Sequence, residues 1–245
     1  MLDHDDLPFA ETRSPLPGLL VCRRGLFASV AAACAATGLP GASPHWQERR
    51  APDDGFTIEE FVRSVTPVCK ELLADRSQRG QDRYLLTLAA FAVRLATVPV
   101  PESREVKPGH RIGSNHDPEP FTVLHWQLER GIEIAPHAHT YGNVVTLGLT
   151  GSALVANYET VAPPDFDSQE DFVVQRTVEQ VLRPGDVNLV NLERHYVHGF
   201  VAGPDGASGL DITTRIRERR RAPLLEVGEA IEGGLRQFRA RWRQS

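Results

Sequence analysis

The stretch PHAHTYGNVVTLGLTGS, Pro136 to Ser152, decides the reading of this chain. His137 and His139 stand one residue apart at the front of an apolar run punctuated by glycine. In extended backbone, residues i and i+2 point the same way, so both imidazoles can face one ion. Neutral imidazole suits iron, zinc, copper and nickel. A third ligand must come from elsewhere, and the stretch His195-Tyr196-Val197-His198 offers two. They lie three residues apart, so a regular strand turns them to opposite sides. Apolar Val197, Phe200 and Val201 surround His198 and set it within a strand, which favours it. His195 stays the alternative.

Outward from this stretch the pattern is that of strands. FTVLHWQL, Phe121 to Leu128, alternates and puts Leu124, Trp126 and Leu128 on one face, with His125 on the other, read as exposed. Further strands are expected at Ile132–Ala135, Val144–Leu149, Ala153–Glu159, Phe172–Val181, Asp186–Asn191, Val197–Ala202 and Asp211–Ile216. Turn signals such as Thr150-Gly151 and Arg183-Pro184-Gly185-Asp186 separate them. Many short strands at this spacing indicate a β-sandwich or barrel. His110 and His116 fall in RIGSNHDPEP, read as a solvated loop. Tyr141 and Asn143 are candidates to line a pocket beside the histidines.

Together these features resemble the cupin motifs, and more closely those of the thiol dioxygenase branch, the group of cysteamine dioxygenase and the plant cysteine oxidases. Four features carry the resemblance. Gly151 follows His139 by twelve residues, and Tyr158 follows Gly151 by seven. His198-Gly199-Phe200-Val201-Ala202 is similar to that branch's stretch around its third ligand, and Leu210-Asp211-Ile212 to the strand after it. The similarity runs from about Phe121 to Ile212, close to half of the chain. It implies a mainly β, double-stranded β-helix (cupin) barrel holding one ferrous ion, Fe(2+), on His137, His139 and His198. It implies a reaction of a small thiol with O2 to give a sulfinate. Tyr141 and Asn143, placed beside the histidines, and Tyr158, matched by the resemblance, are the candidate catalytic residues; turn closure is the alternative for the first two, and core packing for Tyr158. Three neutral ligands leave the ion its full charge, which favours an anionic thiolate. The chain departs from the branch at Ala138, where relatives carry Asp, and at Thr213-Thr214-Arg215, which replaces Pro-Pro-Tyr. These departures bear on the substrate more than on the metal. The same barrel also hosts non-oxidative metal-binding cupins (isomerases, hydrolases, small-ligand binders) and structural cupins with vestigial sites.

Helices flank the expected barrel. Thr57-Ile58-Glu59-Glu60 forms a capping-box pattern, followed by Ile58, Phe61, Val62, Val65 and Leu72 at helical spacing, with Pro67 expected to kink or break the helix. A second helix is expected over Gln81–Thr97. Leu235, Phe238 and Trp242 read as the apolar face of a short C-terminal amphipathic helix, which either docks on the barrel or meets a second copy in a homo-oligomer. The organisation is then a leader over 1–42, a helical segment and linker over 43–110, the barrel over 111–216, and a basic tail with its helix over 217–245.

The chain has 245 residues, 24% of them charged, and a formal net charge of −5, which argues against a general nucleic-acid partner. No apolar run reaches the roughly 20 residues of a membrane span. Arg23-Arg24 before the short apolar run Leu26–Ala36 resembles a twin-arginine export signal, with cleavage expected after Cys34-Ala35-Ala36. The residues before it are acidic, which places the true start near Val21. Export implies a periplasmic or secreted protein; without a working leader it is cytoplasmic. Of Cys22, Cys34 and Cys69, only the last would survive cleavage, and its place in a helical pattern makes it a small core residue.

Overall fold

The computed structural model describes residues 57–97, 100–116, 119–162, 165–168, 170–218 and 223–243. The expected leader and the linker over 43–56 lie outside them. Helix α1 (Ile58–Ala74) begins as its sequence dictates: the Thr57 hydroxyl accepts from the Glu60 amide, and the Glu60 carboxylate accepts from the Thr57 amide. Contrary to expectation, α1 runs through Pro67. Pro67 sits on the exposed side, where water can take the carbonyl that loses its amide partner. Helix α2 (Gln78–Ala92) starts three residues earlier than expected because Ser77 caps it, its hydroxyl accepting from the Gly80 amide. A short 3-10 turn, Val93–Thr97, follows.

Ten strands lie among the described residues: β1 (Ser103–Lys107), β2 (His110–His116), β3 (Phe121–Leu128), β4 (Glu133–Ala138), β5 (Gly142–Thr160), β6 (Phe172–Leu182), β7 (Val187–Val190), β8 (Val197–Arg215), β9 (Leu224–Ala230) and β10 (Gln237–Arg243). All their pairings are antiparallel. The sheet closes on itself through β8, β4, β9, β10, β6, β5 and back to β8. This is a double-stranded β-helix. Its spine is the pair β5 and β8, each 19 residues long, where separate shorter strands were expected. They pair along both halves, with register shifts around Gly148 to Ala153. Gly151 has φ 63°, and a Cβ there would collide with the Gly206 carbonyl, so the bend needs glycine.

Two corrections concern the ends of the sheet. The tail read as a helix is the β9–β10 hairpin. Phe238 and Trp242 are four apart, which suits a helix face, but four is also twice two. Ala240 and Trp242 are buried on one side of a strand, whereas Leu235 is 77% exposed in the preceding turn. The loop read around His110 and His116 is strand β2, whose partner β1 lies in the segment assigned to the linker.

Alternation sorts the barrel wall into two faces. Phe121, Val123, Val145, Leu147, Leu210 and Ile212 face outward and pack with Phe61, Leu72 and Leu88 of the helices. Trp126, Leu128, Val155, Leu182, Phe200 and Ala202 form the opposite, inward cluster. His125 shares the outward face, and there it is buried rather than exposed, because this face is the one the helices cover. A third cluster joins Ala138, Tyr158, Val197, Leu225 and Trp242 beneath the C-terminal hairpin.

Candidate metal centre

Three segments set the site. His137, on β4, is paired with His198 on β8 and with Leu224 on β9. Beyond the strand end the chain stays extended, because the Ala138 amide donates to Pro223 O (3.0 Å) and the His139 amide to Tyr196 O (2.8 Å). His137 and His139 therefore project to one side. Ala138 projects to the other, into the hairpin core, with no exposed surface. An Asp at that position would bury a charge among apolar side chains, so alanine suits this hairpin-covered barrel.

The three imidazoles form a nearly equilateral triangle. Ring centroids lie 4.8 Å apart for His137 and His139, 4.9 Å for His137 and His198, and 4.7 Å for His139 and His198. One nitrogen from each falls within 4.8 Å of the others, and no Asp, Glu or Cys among the described residues completes a second such group. Burial holds all three imidazoles below their usual pKa, well below for His139 and His198, where the neighbouring histidines add repulsion. They are therefore neutral at pH 7, as metal ligands must be.

The donor set fits a metal ion. His137 Nδ1 lies 3.0 Å from Ala135 O, so the proton sits there and Nε2 keeps its lone pair. The Nε2 atoms of His139 and His198 stand 2.9 Å apart. Two nitrogens each about 2.1 Å from one ion, at right angles across it, would stand about 3.0 Å apart. Behind His198, the amide nitrogen of Asn188 lies 3.3 Å from Nδ1.

The other expected residues are dispersed. Tyr141 lies beside the cluster, its ring 6.3 Å from that of His139. Asn143 points to the outer side, where its Oδ1 accepts from the Leu192 amide (3.0 Å) and fixes the turn before His198. Tyr158 lies outside the site and packs in the core instead, the alternative its position allowed. It pairs with Val197 while its neighbour Asn157 pairs with His198, so its ring lies on the opposite face, against Phe238. His195 adopts φ 54° and turns toward Glu159, its Nδ1 3.9 Å from Oε2, and takes no part in the triangle.

Three polar residues on the inward face, Asn188 and Asn157 buried and Asp211 half-buried, were not among the expected site residues. Asn188 is inward between Val187 and Leu189, both of which pack toward the helices. Asn157, opposite His198, donates from Nδ2 to Leu189 O (3.1 Å), while its Oδ1 has no partner among the described residues. Asp211 accepts from the Thr146 hydroxyl (2.6 Å), and Thr146 is the register partner of Asn188. The signal was available: each is a polar residue at an inward position of an apolar alternation, where an amide or carboxyl is costly without a purpose.

No family model matches the sequence, and no curated protein matches it. Solved structures resemble it in part. KdgF from a Halomonas species is 19% identical over 49% of this chain and 89% of its own, with a TM-score of 0.37. An RmlC-like cupin from Shewanella frigidimarina is 21% identical over 48% of this chain and 86% of its own, with a TM-score of 0.36. Procruciferin, an 11S globulin of Brassica napus, is 11% identical over 48% of this chain and 28% of its own, with a TM-score of 0.37.

Proposed function

We propose that this chain is a mononuclear non-haem iron enzyme of the thiol dioxygenase kind, acting on a small thiol. The observation that carries the reading is the triangle of three neutral imidazoles, one half-buried and two buried, with no carboxylate among them. His137, His139 and His198 would hold the ion. When bound, ferrous iron supplies the redox step between thiol and O2. The balance is RSH + O2 to RSO2H, with both oxygen atoms on sulfur and no external reductant. Neutral ligands leave the ion's charge uncompensated, which favours a thiolate over a thiol beside it. Phe200, whose ring centroid is 4.7 Å from that of His198, and Val155 line the inward wall and keep water from the reacting sulfur. Tyr141 stands where it can meet the substrate.

The reading extends to place and assembly. The twin-arginine-like leader would export the chain already folded and loaded, to the periplasm or beyond. N-terminal sequencing of the native protein that finds Met1 retained would remove this part. A homo-oligomer would form through surfaces other than the C-terminal stripe, because Trp242 is buried within the chain itself.

The test is to load metal-free protein with ferrous iron under anaerobic conditions, then admit oxygen with each of a panel of small thiols. Thiol-dependent oxygen uptake that disappears in His137→Ala is expected. Bound iron without uptake for any thiol would overturn the reading in favour of a non-oxidative cupin.

A further inference from the structure

We infer that Asn191 is a positioning residue for the three-histidine cluster: its side chain ties the turn between β7 and β8 to helix α2, and that turn sets the spacing of His139 and His198. The inference rests on the cluster being a metal site, not on which reaction it runs. Asn191 is 4% exposed and opens the turn Asn191-Leu192-Glu193-Arg194, which is closed by backbone bonds between Asn191 and Arg194 in both directions (3.2 and 3.1 Å). Its Oδ1 accepts from the Glu193 amide (2.8 Å), and its Nδ2 donates to Asp82 Oδ1 (2.9 Å) on α2. Both partners fix the amide's orientation, because a backbone N–H only donates and an ionised carboxylate only accepts. The amides on either side are taken by β5: Asn143 Oδ1 accepts from Leu192 (3.0 Å) and Glu159 Oε2 from His195 (3.4 Å). Each backbone amide from Asn191 to His195 therefore has an acceptor, and the bond to Asp82 is the one that anchors the turn outside the barrel.

The chain leaves this turn directly into the metal centre. His195 takes a left-handed backbone, φ 54°, which a residue other than glycine adopts at a cost, so its surroundings must hold it there. One residue on, Tyr196 O accepts from the His139 amide (2.8 Å), and His198 is the second residue of β8. A shift of the turn moves both the carbonyl that holds His139 and the strand start that carries His198, whose Nε2 atoms stand 2.9 Å apart. His137 reaches the cluster from β4, on a separate segment. Asparagine meets the two needs of the position, an acceptor for the turn and a donor for the helix, in one short side chain. Aspartate supplies acceptors alone and sets its charge against that of Asp82. Helix α2 thus does more than cover the barrel wall: through Asp82 and Asn191 it sets where two of the three imidazoles stand.

The experiment uses cobalt(II) as the probe, because its visible absorption reports ligand geometry without any oxygen chemistry. Cobalt affinity and spectrum are measured for the full chain and for Asn191→Asp, Asp82→Ala and the double variant Asn191→Asp/Asp82→Asn, with circular dichroism to verify each fold. Asn191→Asp should bind roughly 10-fold more weakly, the lower end of what groups supporting a metal site contribute, and its spectrum should change. Asp82→Ala, at an exposed helix position, cuts the same bond and should act in the same direction even if Asn191→Asp does not fold. The double variant restores the bond with donor and acceptor exchanged, and should return affinity and spectrum to those of the unaltered chain. Tyr84→Phe, which loosens another contact between α2 and the barrel, should leave the spectrum unchanged. An unaltered affinity and spectrum in folded Asp82→Ala, a folded double variant that restores neither, or an equal spectral change in Tyr84→Phe would each overturn the role of Asn191. Absence of cobalt binding by the unaltered chain would overturn the metal site and this role with it.

Discussion

The Nε2 atoms of His139 and His198 lie 2.9 Å apart although 59 residues separate them along the chain. His139 lies just past the end of β4 and His198 on β8, and the backbone bond from the His139 amide to Tyr196 O brings the two segments together. His195, three residues before His198, is carried away by its left-handed backbone. His198→Ala should therefore weaken binding of a divalent ion by more than the roughly 10- to 100-fold that loss of a supporting hydrogen bond costs. His195→Ala should leave affinity within a few-fold of the original. Calorimetric titration of the metal-free proteins checks both.

The carboxyl of Asp211 gives the barrel a pH signature. Withdrawal from water raises its pKa to about 6, against the opposing effects of the Thr146 hydroxyl and Trp126. A carboxyl whose folded pKa exceeds its unfolded one binds more protons when folded, so stability falls as pH rises from about 4 to 6 and then levels. The three histidines act in the opposite sense: their folded pKa values are depressed, so stability is lost as pH falls below about 6.5. Asp211→Asn keeps an acceptor for Thr146 and removes the first term. It should stabilise the metal-free protein by up to roughly 3 kcal/mol at pH 7.5. It should also leave a steeper acid limb, read from urea denaturation at a series of pH values.

The C-terminal hairpin closes the barrel at the ligand strand, through the pairing of Leu224 with His137. Trp242 is its buried anchor, its ring tilted against those of Phe166 and Phe172 at centroid distances of 5.0 and 5.1 Å. Trp242→Ala should cost about 3–5 kcal/mol and should also weaken metal binding, because the edge that holds His137 loses its support. Leu235→Ala, at a 77% exposed position, should change stability by no more than about 0.5 kcal/mol. Thermal denaturation together with metal titration separates the two effects.

On the opposite face, Tyr84 ties the helices to the barrel. Its hydroxyl meets the Cys69 thiol at 3.0 Å and the Thr214 hydroxyl, all three buried. Tyr84→Phe strands two polar groups and should cost about 1–3 kcal/mol. Metal affinity should not change, since Thr214 faces away from the histidines. Chemical denaturation and metal titration of the variant provide the check.

The sequence by itself determined the barrel, the start of the first helix and the pair His137 and His139, and it favoured His198 over His195. These depend on local physics: a period of two, a capping box, an i, i+2 pair, and apolar neighbours that keep His198 within a strand. What the tertiary structure decided is which face of each strand looks inward and what covers the other. Alternation says that His125 and Trp126 point apart, but not that the outward face of the sheet is buried at His125. It says that Asn157 and Tyr158 point apart, but only the pairing with His198 puts Asn157, and not Tyr158, beside the ligands. The spacing of Phe238, Ala240 and Trp242 fits a strand or a helix equally, and the open edges of β4 and β6 resolve it by supplying hydrogen bonds to both sides of a hairpin. Inward and outward are properties of a closed sheet, and closure is made by contacts between residues far apart in the chain.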